Sequence, residues 1–130
     1  MNLLDRVLVH EGFRAKPYQD SLGVLTIGHG ITWISEEEST VIVEGRLIAN
    51  LKHIGKLWPW LADHPQVITE VIVEMTYQLG VAGVGGFKNM LAAIQAGDYT
   101  TAAQEGINSR WAKQTPSRAN ELMNIVRTAE

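Results

Sequence analysis

Residues 11–28 read EGFRAKPYQDSLGVLTIG. The second residue of this stretch, a glycine, is a natural stop for a preceding helix, which Asn2 can cap and whose apolar positions follow helical spacing. Two short runs typical of strands follow, at about 16–20 and 24–29, with a glycine-bearing loop between them. The sequence therefore predicts a helix that leads directly into a β-hairpin.

The rest of the chain is predicted to be helical. Ser35 and Glu38 form a capping box that opens a helix running to about Leu51. The segment 65–79 is apolar nearly all round, which is typical of the buried centre of a bundle, and Gly80 ends it. Residues 81–86 are expected to be a flexible connection. Further helices are predicted at about 87–97, at 99–113, and from Pro116 to about Thr128 with Thr115 as its cap.

The length of 130 residues fits one domain. We expect an α+β, mostly α-helical architecture in two lobes. The small hairpin lobe would comprise about residues 13–51, and the helical lobe residues 1–12 and 52–130. Because the first helix must pack somewhere, the helical lobe is its expected partner, and a cleft between the lobes would be lined by the end of that helix and the hairpin.

Composition excludes several functions. The net charge is −3 and the sequence contains no basic run, which argues against nucleic acid binding. The absence of cysteine rules out a thiol nucleophile and a thiolate zinc site, and we see no other metal constellation. The first residues do not resemble a signal peptide, and we find no run of the roughly 18 to 20 apolar residues that a membrane span needs. We therefore expect synthesis in the cytoplasm and no stable membrane insertion.

Three polar side chains suggest chemistry. Glu11 ends the first helix, Asp20 lies at the hairpin turn, and Thr26 lies on the returning strand. Two carboxylates that flank a cleft are the minimum apparatus for cleaving a glycosidic bond, because one donates a proton to the leaving oxygen while the other activates water. A threonine can hold that water. By spacing alone, the same residues are also compatible with a solvated acidic surface.

The order Glu, eight residues, Asp, five residues, Thr resembles the catalytic segment of the phage-type lysozymes, which form glycoside hydrolase family 24. Two later stretches resemble the same family, residues 75–87 and residues 109–118. The resemblance implies that Glu11 is the general acid and that Asp20 with Thr26 positions the attacking water.

The resemblance also implies further site residues. Arg118 matches a family arginine that pairs with the catalytic glutamate. Tyr77 and Gln78 match positions in the family's cleft, so we expect both to contact the substrate. Thr32 follows the hairpin, and its place in the chain, not the resemblance, leads us to expect it to contact the substrate too.

The sequence departs from the family pattern at several positions. It is shorter, and His29 stands one residue earlier than the family's usual histidine. Met90 and Glu105 occupy places where the best-known member has small polar and amide residues, so those substrate contacts are not carried over. The chain is also acidic, which weakens its attraction to the anionic glycan of the cell wall.

The expected function is hydrolysis of the β-1,4 bond between N-acetylmuramic acid and N-acetylglucosamine in peptidoglycan. The resemblance implies an inverting reaction without a cofactor. We expect a monomeric phage or prophage endolysin that reaches the wall with the help of a holin, or from within a virion. Two alternatives stay open, a lytic transglycosylase and a catalytically silent glycan-binding or structural module of a phage tail.

Overall fold

The computed structural model describes residues 2–130. Over that range the chain forms seven α-helices, one short 3-10 helix and one antiparallel pair of strands, which confirms the α+β, mostly helical fold class. The elements are, in chain order, α1 (Leu3–Glu11), β1 (Arg14–Gln19), β2 (Leu25–Gly28), α2 (Glu36–Leu57), the 3-10 helix (Pro59–Asp63), α3 (Gln66–Gly85), α4 (Lys88–Gln95), α5 (Tyr99–Ile107), α6 (Arg110–Gln114) and α7 (Pro116–Arg127).

The chain divides into two compact units, the first ending at Ile42 and the second beginning at Val43. The first unit contains α1, the hairpin and the start of α2, whereas the second contains the remaining helices. The assignment of residues 1–12 to the helical lobe stays a prediction.

Helix α1 has the predicted caps. The Asn2 side chain accepts a hydrogen bond from the backbone N–H of Asp5 at 2.8 Å, which satisfies one of the amides left free at a helix start. Gly12 ends the helix with a φ of +67°, in the left-handed region that a residue without Cβ enters at little cost. The next residues are therefore free to leave the helix and begin β1.

The hairpin pairs Tyr18 with Thr26 and Gln19 with Leu25, which confirms the predicted strands with slightly different bounds. The register shifts between Arg14 and Tyr18, a stretch that contains Pro17. Because proline has no N–H to donate to a neighbouring strand, an irregularity is expected at this place.

Helix α2 begins with the predicted capping box. Ser35 Oγ accepts from the backbone N–H of Glu38 at 3.1 Å, and Glu38 Oε1 accepts from the backbone N–H of Ser35 at 3.0 Å. The helix continues to Leu57, six residues past the predicted end at Leu51. It stops just before Pro59, because the residue that precedes a proline is disfavoured in the helical conformation.

The hydrophobic core lies in the second unit. Helix α3 contributes Ile68, Ile72 and Met75, all with 0% exposure, which confirms that the apolar segment 65–79 supplies the core. It is not buried all round, because Val67 and Tyr77 are each 39% exposed. Trp111 is 4% exposed and belongs to the same core. Trp58 and Trp60 are partly buried and pack against it.

Two predictions in the helical part are wrong. Residues 81–85 are helical and not a flexible connection, although Gly80 interrupts α3 with a φ of +78° and a ψ of 162°. The single helix predicted over 99–113 is two helices, because Ser109 caps a new one by accepting from the backbone N–H of Ala112 at 3.2 Å.

The start of α7 differs from its predicted cap. Thr115 occupies the cap position, yet its hydroxyl donates to the backbone carbonyl of Trp111 at 3.0 Å and caps no amide of α7. The fixed φ of Pro116 at the first helical position still favours the helix start.

Helix α3 is long and apolar enough to cross a membrane by length and composition, which the sequence reading did not anticipate. Core helices of folded proteins have the same properties, and α3 supplies much of the core of its unit. Packing within that unit therefore accounts for its apolar character.

Candidate functional site

The carboxylate of Asp20 is held by the turn that it forms. Its Oδ1 accepts hydrogen bonds from the backbone N–H of Leu22 at 2.8 Å and of Val24 at 2.9 Å. Both bonds are charge-assisted, and together they fix the direction of the carboxylate. With Oδ1 holding the turn, Oδ2 is the oxygen that can accept a proton from water.

Thr26 lies against the same turn. It is one of two buried polar residues in the part of the chain that the structure describes, with 5% exposure, and its hydroxyl donates to the backbone carbonyl of Val24 at 2.9 Å. That carbonyl also accepts from the backbone N–H of Asp20 at 2.9 Å. The structure thus brings Asp20 and Thr26 together at Val24, and the hydroxyl oxygen keeps its acceptor capacity for a water molecule.

Glu11 is the last residue of α1, and its carboxylate lies against Gly30. The approach is so close that a Cβ atom on Gly30 would lie 2.7 Å from Cδ of Glu11. Gly30 is held there by a tight loop, in which Ile27 and Ile31 exchange two backbone hydrogen bonds of 2.8 and 2.9 Å. Thr26 is therefore part of β2, and Glu11 contacts the loop that directly follows β2.

The other predicted residues of the first unit are less constrained. Thr32 is exposed just after the Ile27–Ile31 bridge. The ring of His29 lies against Phe13, with the ring centroids 5.2 Å apart.

Tyr77 and Gln78 are neighbours on α3 in the second unit. Tyr77 is 39% exposed. The side-chain carbonyl of Gln78 accepts a hydrogen bond from the indole N–H of Trp111 at 2.9 Å. Gln78 is therefore oriented by Trp111, and its NH₂ group is the part that can donate to a ligand.

Arg118 forms an ion pair with Glu74, which the sequence reading did not anticipate. Its Nε donates to Oε2 of Glu74 at 3.1 Å, and the two side chains are 42% and 45% exposed. This pair ties α7 to α3. An exposed pair of this kind contributes at most about 1 kcal/mol to stability.

A groove of about 810 Å³ opens in the second unit beside Phe87 and Trp111. Lys88 and Arg110 contribute cationic groups to its lining, and Glu105 contributes a carboxylate. Met90 lines it as well. Two of the positions at which the sequence departs from the family pattern, Met90 and Glu105, therefore shape the same groove.

Comparison with known proteins places the chain in a family. Residues 9–130 match the sequence profile of the family described as phage lysozyme. The chain belongs to the phage lysozyme family. The match includes Glu11, Asp20 and Thr26, and the domain is that of glycoside hydrolase family 24.

Individual relatives are distant. The chain is 29% identical over 163 residues to the pre-baseplate central spike protein Gp5 of Enterobacteria phage T4. The matched region includes 98% of this chain but only 28% of the length of that protein. It is 26% identical over 160 residues to each of two proteins of Dictyostelium discoideum, named probable T4-type lysozyme 1 and 2, with 98% of this chain and 94% of each relative covered.

Membership of the phage lysozyme family supports a lysozyme-like hydrolase of the muramidase type, with peptidoglycan of the bacterial cell wall as its substrate. No set of three or more His, Asp or Glu side chains in the described chain is arranged to hold a metal ion.

Two residues of the site were missed by the sequence reading. Val24 acts through its backbone, and no side-chain motif reveals such a role. An aspartate at the start of a hairpin loop is nevertheless a signal, because its side chain often binds amides two or more residues later. Gly30 has no side chain that could suggest a role, and the reason for its small size becomes visible only when Glu11 is placed against it.

Proposed function

We propose that this protein is an N-acetylmuramidase, which hydrolyses the β-1,4 bond between N-acetylmuramic acid and N-acetylglucosamine in peptidoglycan. The observation that carries the proposal is the joint attachment of Asp20 and Thr26 to the Val24 backbone. An aspartate that serves only a turn also accepts such amide bonds, so the feature that supports the proposal is the buried Thr26 hydroxyl beside it. In a member of the phage lysozyme family, the same arrangement suits a carboxylate and a hydroxyl that hold one water molecule between them.

In the proposed reaction Glu11 is protonated and donates its proton to the glycosidic oxygen as the C–O bond breaks. Positive charge develops on the sugar, and the carboxylate of Asp20 stabilises it. A water molecule held by Oδ2 of Asp20 and the hydroxyl of Thr26 attacks the anomeric carbon and gives its proton to Asp20. Water and not the protein bonds to the sugar, so the configuration inverts and no covalent intermediate forms.

Three residues are proposed to bind the glycan and one to support the acid. Thr32, Tyr77 and Gln78 would donate or accept hydrogen bonds to sugar hydroxyl and acetamido groups. Arg118 would assist Glu11, as the family resemblance implies. The Glu74 carboxylate already pairs with the Arg118 guanidinium and partly offsets the positive charge that Arg118 would bring to Glu11.

The test is digestion of purified peptidoglycan by the wild type, by Glu11→Gln and by Glu44→Gln, followed by assay of reducing ends and mass analysis of the products. Glu44 is an exposed carboxylate on α2 and serves as the matched control. We expect reducing-end muropeptides from the wild type and Glu44→Gln, and a loss of at least about 100-fold for Glu11→Gln. Anhydro sugar ends would instead identify a lytic transglycosylase. No release by folded wild type would contradict the assignment and indicate a glycan-binding or structural module.

For the biological setting we propose a monomeric phage or prophage endolysin that digests the host wall after a holin opens the membrane. A second setting is favoured by the similarity to the phage T4 spike protein, of which this chain matches only part. In that case the chain would act as a wall-digesting module of a phage tail. Immunodetection on purified virions separates the two, because a free endolysin is absent from the particle.

A further inference from the structure

The contact between Glu11 and Gly30 is closer than any other residue at position 30 would allow. A Cβ atom built on Gly30 would lie 2.7 Å from Cδ of Glu11, 3.3 Å from its Cγ, and nearer still to Oε2. Non-bonded heavy atoms pack at about 3.5 to 4.0 Å, so the space of a methyl group at Gly30 is occupied by the carboxyl group.

Gly28, in the same loop, provides a comparison. Both glycines have positive φ, +64° for Gly28 and +71° for Gly30, so an alanine at either position is strained by the backbone itself. A Cβ on Gly28 would meet only the Cδ1 atom of Ile31, at 3.5 Å, which is ordinary contact. The collision with Glu11 is therefore a property of Gly30 and not of glycines in this loop generally.

The backbone around Gly30 cannot move away easily. The two hydrogen bonds between Ile27 and Ile31, of 2.8 and 2.9 Å, close the loop on either side of it. Glu11 is fixed at its own end by the last turn of α1, where the N–H of Gly12 donates to the carbonyl of Leu8 at 3.0 Å. The carboxyl group is thus placed between two constrained backbone segments.

We propose that Gly30 is a positioning residue for the general acid: its missing side chain forms the seat that sets the direction of the Glu11 carboxyl group. The inference rests on the proposed muramidase activity. Gly30 acts through Glu11, because a carboxyl in contact with a backbone has fewer rotamers to adopt and one face shielded from water. Both effects matter for an acid that must reach one oxygen of the substrate.

The first experiment measures thermal unfolding and needs no activity. Gly30→Ala and Gly28→Ala are each made in the wild type and in Glu11→Ala. We expect Gly30→Ala to lower the melting temperature by about 5 °C more than Gly28→Ala does, and to lose that excess when Glu11 is alanine. If Gly30→Ala lowered the melting temperature equally in the wild type and in Glu11→Ala, the proposed contact between Gly30 and the Glu11 carboxyl group would be refuted.

The second experiment measures kcat, KM and the pH profile of peptidoglycan hydrolysis. Displacement of the acid by about 1 Å is expected to lower kcat of Gly30→Ala about 100-fold and to shift its pH profile, with little change in KM. Gly28→Ala should keep the pH profile of the wild type. An unshifted profile with a raised KM would show that position 30 acts on substrate binding and refute the positioning role. If the wild type is inactive, the muramidase proposal fails, while the melting experiment still decides whether the seat exists.

Discussion

Val24 shows how one backbone unit can organise a site at the residue scale. Its N–H donates to the Asp20 carboxylate, while its carbonyl accepts from the Asp20 backbone and from the Thr26 hydroxyl. The side chain of Val24 takes part in none of these bonds. We therefore expect position 24 to accept any side chain that leaves its backbone N–H in place. Asp20, by contrast, has two roles, one in the turn and one in the proposed chemistry.

Variants of Asp20 separate its role in the turn from its role in the proposed chemistry. Asparagine keeps an oxygen that accepts from Leu22 and Val24 but has no charge, so we expect Asp20→Asn to fold like the wild type and to lose activity at least about 100-fold. Asp20→Ala removes both acceptors and should lower stability further, by about 1 to 3 kcal/mol. Thermal melts and reducing-end release measure the two effects. An unstable Asp20→Asn would show that the turn depends on the charge.

Gln78 gives a second prediction at this scale. In Gln78→Leu the indole N–H of Trp111, a residue with 4% exposure, loses its acceptor, and the free energy of unfolding should fall by about 1 to 3 kcal/mol. Gln78→Glu keeps an acceptor oxygen. It should lower the free energy of unfolding by only about 0.2 to 0.5 kcal/mol, because Glu74, four residues earlier, repels the new charge. Urea unfolding followed by tryptophan fluorescence compares them. Similar losses in both variants would show that the hydrogen bond contributes little.

At the scale of the element, the capping box of α2 links stability to pH. Hydrogen bonds from the backbone and side chain of Ser35 hold the pKa of Glu38 below its ordinary value of 4.5. A carboxyl whose pKa is lower in the folded state stabilises that state above its unfolded pKa, and this stabilisation is lost as the pH falls through the folded pKa.

We therefore expect the wild type to melt above Glu38→Gln at pH 7, and the difference to shrink below about pH 4.5. Glu37→Gln, one residue earlier in the same turn, should show a smaller dependence on pH, since Glu37 lies outside the capping box. Melting temperatures between pH 3 and pH 7 test this. A difference that is constant with pH would contradict it.

The elements also show what local sequence can predict. Signals that act within one turn, such as Asn2 before α1 and the Ser35 box before α2, were interpreted correctly because their hydrogen bonds are local. The break at Ser109 was missed because the same residues also continue a helical apolar pattern. The geometry of the site divides in the same way: the Asp20 loop is local, whereas the contact of Glu11 with Gly30 joins positions nineteen residues apart and needs the fold.

At the scale of the whole molecule, stability rests on the core of the second unit, where α5 and α7 meet closely. A Cβ on Gly106 would lie 2.9 Å from Cγ of Met123, a fully buried side chain. We expect Gly106→Ala to destabilise the protein by about 1 to 3 kcal/mol through overpacking. Met123→Ala alone should also destabilise it, and the double variant should lose less than the sum of the two.

Gly45 and Gly55 on α2 are the controls, because no atom lies within 4 Å of the Cβ position of either. An alanine there should stabilise the protein by roughly 0.5 to 1 kcal/mol through helix propensity. Denaturant unfolding of these variants compares the signs directly. Stabilisation by Gly106→Ala would mean that the core yields more readily than its packing indicates.

The Asp20 turn also provides a spectroscopic reporter. The amide protons of Leu22 and Val24 both bind Oδ1 of Asp20, at N···O distances of 2.8 and 2.9 Å. Their NMR resonances should move together as that carboxylate gains or loses its proton, and a bound saccharide that displaces water from the other oxygen should move them again. Two backbone signals in an exposed loop would thus reveal the ionisation of the proposed catalytic carboxylate without any enzyme assay.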